Sequence, residues 1–253
     1  MKIGFLIPST SKGRPWLTFK DMYLYAHTLR SFLTTYDMEH SYTFYIGVDH
    51  DDPLFTQQSI IKQFKRFIGI MKNVTITFLP FNDIPKGHLT KMWNRLFKKA
   101  YEDSCDYFFQ CGDDITFQTK GWVNACIEVL EKNNNIGVTS PICRNNQLIL
   151  TQSFVSRKHM DIFGIYFPEE IINWGCDDWI NIVYKPKHFF PLMSYFCNNV
   201  GGRERYVVDN DHSFYDNYRE NLFALRKRVH TLTHNTYIPI LEKYIRQMHI
   251  NLY

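Results

Sequence analysis

No run in this chain approaches the ~20 consecutive apolar residues that cross a bilayer, so a membrane-spanning helix is not expected. Its six cysteines, Cys105, Cys111, Cys126, Cys143, Cys176 and Cys197, form no C-x-x-C pair, which argues against a zinc ribbon or a dithiol redox centre. G-x-G-x-x-G and the full Walker spacing are both absent. So are low-complexity tracts, internal repeats and Pro/Gly-rich linkers. The net charge of +4 is too small for general polyanion binding, and no nucleic-acid partner is expected. The apolar start, Met1 to Pro8, is too short for a signal peptide. Scattered cysteines in apolar contexts suit a reducing compartment, so the expectation is a soluble cytoplasmic protein.

What is present is core-forming material. Hydrophobic residues make up 45% of the 253 positions and aromatics 17%. Stretches 3–7, 42–48, 74–81 and 107–110 are rich in β-branched and aromatic residues and read as strands, with 136–139 and 148–154 as later ones. Between them lie runs of helical period. Leu89, Met92, Trp93, Leu96, Phe97 and Ala100 form one apolar stripe within 88–103. Phe19, Met22, Tyr23, Ala26, Leu29 and Leu33 form a second, and Ile60, Ile61, Phe64 and Ile68 a third. Alternating strands and helices predict an α/β fold, a mostly parallel sheet with helices on both faces. A single domain over 1–253 is expected, with a ligand-binding half to about residue 155 and a more irregular half over 156–253 that ends in helices.

In such sheets ligands sit beyond the carboxyl ends of the strands, and the polar clusters of this sequence fall there. The fourth strand ends in Gly112-Asp113-Asp114, two acids suited to a divalent cation and the phosphates it carries. The alternative is a turn in which one Asp caps the next helix. Glycine-aspartate-aspartate also marks polymerases, but the chain is small for that architecture. After the first strand, Pro8, Thr10, Lys12, Gly13 and Arg14 can wrap a base or pyrophosphate with backbone N–H groups and a cation. After the second, Asp49 is placed to accept from a ribose or base, unless the loop serves only to open the next helix. Lys86 and Gly87, before a helix start, offer an anion-friendly corner.

Further along, Asp177 and Asp178 lie between Trp174 and Trp179. Aromatic rings stack on sugar faces, and a carboxylate beside them can take a proton from a hydroxyl. The same pattern also fits a helix start with Asp177 or Asp178 as N-cap and Trp179, Ile180 and Val183 buried. His212 follows in a polar loop where it can complete a metal shell, with His230 and His234 as competing candidates. Arg219, Arg226, Lys227, Arg228, Lys243 and Arg246 crowd the last fifth of the chain, either as a solvated helix face or as a peripheral membrane contact.

These residues, in this order, resemble the GT-A class of nucleotide-sugar-dependent glycosyltransferases. Residues 7–14 look like the first nucleotide-binding loop, and Val48-Asp49 like the acid that meets the nucleoside. Gly112-Asp113-Asp114 looks like the D-x-D motif, with glycine in place of the first acid. Trp174-Gly175-Cys176-Asp177-Asp178 is similar to the tryptophan-glycine-glycine-glutamate-aspartate element near the acceptor, with Asp177 in place of the glutamate.

The resemblance implies a GT-A fold and a hexosyl- or pentosyltransferase that uses Mn²⁺ or Mg²⁺. Its donor would be a nucleotide-diphosphate sugar, UDP- or GDP-linked, and its acceptor a glycan or glycoconjugate hydroxyl. Asp114 and His212 would bind the metal. Pro8, Thr10, Arg14, Asp49, Lys86 and Asp113 would bind the donor, and Trp174 and Trp179 the acceptor. Asp178 would be the base and Asp177 an acceptor contact. The rival readings are a sugar nucleotidyltransferase and a non-catalytic module that binds glycans or a membrane surface.

Overall fold

The computed structural model describes residues 1–201 and 206–250. In chain order the elements are β1 (Lys2–Pro8), α1 (Arg30–Thr35, entered through a π-wound stretch Leu24–Leu29), β2 (Ser41–Asp49), α2 (Gln58–Ile68), β3 (Val74–Phe81) and α3 (Leu89–Glu102). Then come β4 (Tyr107–Gln110), β5 (Ile115–Phe117), α4 (Trp122–Glu131), β6 (Val138–Cys143), β7 (Ser153–Ser156) and α5 (Lys158–Phe163). The chain continues through α6 (Cys176–Tyr184), β8 (Phe189–Asn199), α7 (Tyr218–Leu232) and α8 (Ile238–Ile250).

The strands form one eight-stranded sheet in the order β3-β2-β1-β4-β7-β6-β8-β5. The expected α/β class holds. β1 pairs in parallel with β2 and β4, β2 with β3, and β6 with β8. β7 runs antiparallel to β4 and β6, and β5 antiparallel to β8. Strand β1 is buried on both faces from Ile3 to Ile7, as a central parallel strand should be. Its side chains divide between two cores. Ile3, Phe5 and Ile7 join α1, α2 and α4 on one face, while Leu6 meets α3 and α5 to α8 on the other. Helix α3 lies close to the sheet because Gly4 and Gly47 leave room for it. A Cβ on Gly4 would stand 3.1 Å from Ala100 Cβ, and one on Gly47 would stand 3.3 Å from Leu96 Cδ1. The indole N–H of Trp93 donates to Leu6 O at 3.2 Å, which satisfies that buried polar group.

Two expected strands are displaced. The first is β6, from Val138 to Cys143, and the second is β7, from Ser153 to Ser156. Residues 144–152 form a turn and loop instead, where Asn145 and Asn146 supply turn chemistry and Leu148 is 88% exposed. The half beyond residue 155 also contributes a long strand, β8, to the same sheet. Pro191 inside it, and Pro141 opposite at a register shift in β6, obscure the strand pattern in the sequence.

Candidate functional site

The carboxyl ends of β1, β2 and β4 and the start of α3 border a cleft of about 1160 Å³, closed on its other side by the start of α6 and by α7. The loop after β1 is built by Asp52, one of the three acids that follow the second strand with Asp49 and Asp51. Asp52 is fully buried. It accepts from Ser11 N–H at 2.7 Å, Ser11 Oγ at 2.5 Å and Thr10 Oγ1 at 2.9 Å, and also from the N–H groups of Leu54 and Phe55. A carboxylate held this way pins the first loop to the second. Lys12 then reaches Asp49 at 3.2 Å and Asp51 at 2.5 Å. Partial burial works against its charge, yet the hydrogen bonds it donates to Asp51 and Asp49, with their negative charges, win and its pKa is raised. Pro8, Thr10, Arg14 and Asp49 all line the cleft.

The two acids after β4 part company. Asp113 is fully buried, accepts from Ser9 Oγ at 2.6 Å and lies behind the cleft wall. That hydrogen bond braces the first loop against the end of β4. Asp114 faces the cleft. Its carboxylate occupies the space that side chains at Gly112 and Gly201 would need. A Cβ on Gly112 would come to 2.5 Å from Asp114 Oδ1, and one on Gly201 would overlap Oδ2. A side chain at Gly112 would displace the Asp114 carboxylate from this position, and no left-handed backbone is involved. Gly201 arrives beside Asp114 because β8 pairs with β5 and Val200 N–H donates to Asp114 O at 3.0 Å.

The opposite wall is organised by Asn173, which is 2% exposed. Its amide donates to Gly87 O and Val207 O, each at 3.0 Å, and its Oδ1 accepts from Trp174 N–H at 2.7 Å and Asp209 N–H at 2.9 Å. One side chain therefore ties together three segments that border the cleft, including the corner that presents Lys86. Gly175 caps α6 with φ +90°, where a Cβ would also strike Val229 Cγ2 at 2.9 Å. The first turn of α6 then presents Asp177 and Asp178 to the cleft. Burial, and next the neighbouring Asp178 charge, push Asp177 up to about 6. Burial also raises Asp178, while the positive charges of Arg226 and Lys185 pull the other way.

Trp174 lines the cleft, but Trp179 does not. Trp179 is fully buried among Phe163, Phe167 and Tyr237, and Ile180 and Val183 are buried with it, as the helix-start alternative expects. Helical geometry explains the split. Asp177 and Asp178 open the helix on its cleft side, and Trp179 lies round the turn, on the face packed against the core. His212 is exposed and lines the cleft, whereas His230 and His234 stack on each other at 3.9 Å outside it. The basic C-terminal residues also divide: Arg226 lines the cleft, and Arg228 pairs with Asp209 at 2.7 Å.

Among the described residues, no group of three or more His, Cys, Asp or Glu side chains is placed to hold a metal ion. Asp114 offers one carboxylate. Mg²⁺ and similar cations are commonly held by one or two carboxylates plus substrate phosphates, so Asp114 fits a cation that arrives with a diphosphate rather than one held in a protein cage. All six cysteines are buried and free. Among the described residues no helix is long and apolar enough to cross a membrane.

No protein-family model matches this chain, and no curated protein matches it. Its fold is nevertheless shared by solved structures. The crystal structure of S. aureus TarS 1-349 in complex with UDP matches with a TM-score of 0.53 at 12% identity, over 78% of this chain and 60% of that one. S. aureus TarS matches at 0.52 and 13%, over 78% and 36%, and TarS 1-349 at 0.51 and 13%, over 78% and 60%. This chain thus spans between 36% and 60% of the length of those it matches. The likeness shows the mixed α/β fold that this chain shares with TarS.

Proposed function

We propose that this chain is a nucleotide-sugar-dependent glycosyltransferase that moves a hexosyl or pentosyl group to a hydroxyl of a glycan or glycoconjugate. The observation that carries the reading is the cleft itself, with strand-end donor groups on one wall and two carboxylates of raised pKa on the other. The UDP bound in a structure of the same fold supports a nucleotide diphosphate as the leaving group. Thr10, Arg14 and Asp49 would hold the nucleoside end, with Lys86 on the phosphate side. A bound Mn²⁺ or Mg²⁺, held by Asp114 and the diphosphate, would supply charge stabilisation for the departing group.

Asp178 would take the proton from the acceptor hydroxyl as its oxygen attacks the anomeric carbon and the bond to the diphosphate breaks. Asp177 would accept a hydrogen bond from the acceptor. Trp174 gives the sugar an apolar wall and keeps water from the reacting carbon.

Thermal shift with UDP and UDP-sugars, with and without Mn²⁺, tests the donor site. The parent protein should be stabilised most by nucleotide together with metal, by about 2.7 kcal/mol at a hundredfold excess over Kd. Asp114→Ala should lose the metal-dependent part and keep its unliganded melting temperature. Asp178→Asn should keep the full shift but lose transfer by a factor of about 10² or more. A metal-dependent shift in Asp114→Ala equal to the parent's, or unchanged turnover in Asp178→Asn, would reject the corresponding role.

A further inference from the structure

The acceptor side of the cleft does not end at Trp174. Phe214, 3% exposed, packs edge-on against Trp174 at 5.9 Å and touches Tyr215 at 5.7 Å and Tyr218 at 6.1 Å. It supports two tyrosine rings that are themselves open to solvent, Tyr215 at 53% and Tyr218 at 42%. Those rings are parallel to within 5°, with centroids 6.0 Å apart. Tyr218 lines the main cleft and also a second depression of about 410 Å³. The two hollows are therefore joined at one aromatic ring. The outer depression is completed by Asp216, Asn217, Arg219 and Glu220, which offer both donors and acceptors around the ring faces.

Apolar ring faces bordered by mixed hydrogen-bonding groups match the chemistry of a carbohydrate, whose C–H faces stack while its hydroxyls bond at the edges. The charge pattern argues against the other occupant of an exposed aromatic patch, an anionic membrane surface. Asp216 and Glu220 outnumber Arg219 in the patch, and its net negative charge would be repelled by such a surface.

Building on the transferase reading, we infer that the acceptor is an oligosaccharide. Its reacting sugar lies beside Asp177 and Asp178, and its following sugars run out of the cleft across Tyr218 onto Tyr215. Substrate length, rather than the reacting sugar alone, then sets acceptor affinity.

The test uses the full chain on a printed array of neutral and acidic glycans, each sequence present from monosaccharide to hexasaccharide, with UDP thermal shift run in parallel. Bound glycans should gain roughly tenfold in affinity between monosaccharide and trisaccharide. The double variant Tyr215→Ala/Tyr218→Ala should lose that gain while keeping its melting temperature and UDP shift. Tyr215→Phe/Tyr218→Phe retains the ring faces and should keep most of the gain. Binding that does not depend on length, a gain that survives the double Ala variant, or no binding to any glycan would overturn the inference. So would binding to phosphatidylglycerol vesicles that the double Ala variant loses. Length-dependent glycan binding without any nucleotide shift would instead uphold the tyrosine platform and reject the transferase reading.

Discussion

Asp113, Asp114, Asp177 and Asp178 are the same residue type in two adjacent pairs, and their surroundings give them different work. Asp113 accepts a hydrogen bond from Ser9, whereas Asp114 has room at the cleft because Gly112 and Gly201 carry no side chains. Asp177 has its folded-state pKa raised to about 6 from an ordinary 3.8. Between those values the folded form binds more protons than the unfolded one, so stability falls as pH rises through the window. Asp177→Asn removes that cost. It should raise stability at pH 7 by roughly 1–3 kcal/mol and flatten the decline between pH 4 and 6, read by urea unfolding across pH. A variant no more stable than the parent at pH 7 would show that the carboxylate is not strained by its site.

At the scale of elements, the first turn of α6 decides which aromatic serves the cleft and which serves the core. Trp179→Ala should cost about 3–5 kcal/mol, as expected for emptying a filled core position. Trp174→Ala, from a half-buried rim position, should cost about 1 kcal/mol and spend its effect on the acceptor. Equal losses of stability in chemical denaturation would refute this division. The sequence left two readings of Trp179 open, an acceptor contact or a buried helix-face residue beside Ile180 and Val183, because a linear reading does not show which way a helix faces until its packing partners are known. β8 escaped for a related reason. Pro191 breaks its strand pattern locally, and only pairing with β6 and β5 makes it part of the sheet. By contrast, β1 to β4 and α3 were legible, since their apolar runs and 3.6-residue stripe depend on short stretches of chain.

Across the whole molecule, the cleft has two walls of different origin. One is made by parallel strand ends, and the other by α6, α7 and the loops that Asn173 fastens together. A ligand that bridges both should slow amide hydrogen exchange in 8–14 and in 206–218 together, with the sheet interior unchanged. Protection confined to one wall on adding UDP with Mn²⁺ would mean that the nucleotide alone does not close the cleft. The sequence by itself determined the α/β class, the order of the first strands and helices, and which acids, cations and aromatics were available at strand ends. These are local matters of side-chain period, turn chemistry and composition. Only the tertiary structure decided that Asp114 faces the cleft while Asp113 is buried against Ser9, that Trp174 lines the cleft while Trp179 does not, and that Asp52 and Asn173 tie the surrounding loops together. Each of those outcomes depends on contacts between residues far apart in the chain, where burial and steric exclusion choose among positions the sequence leaves equivalent.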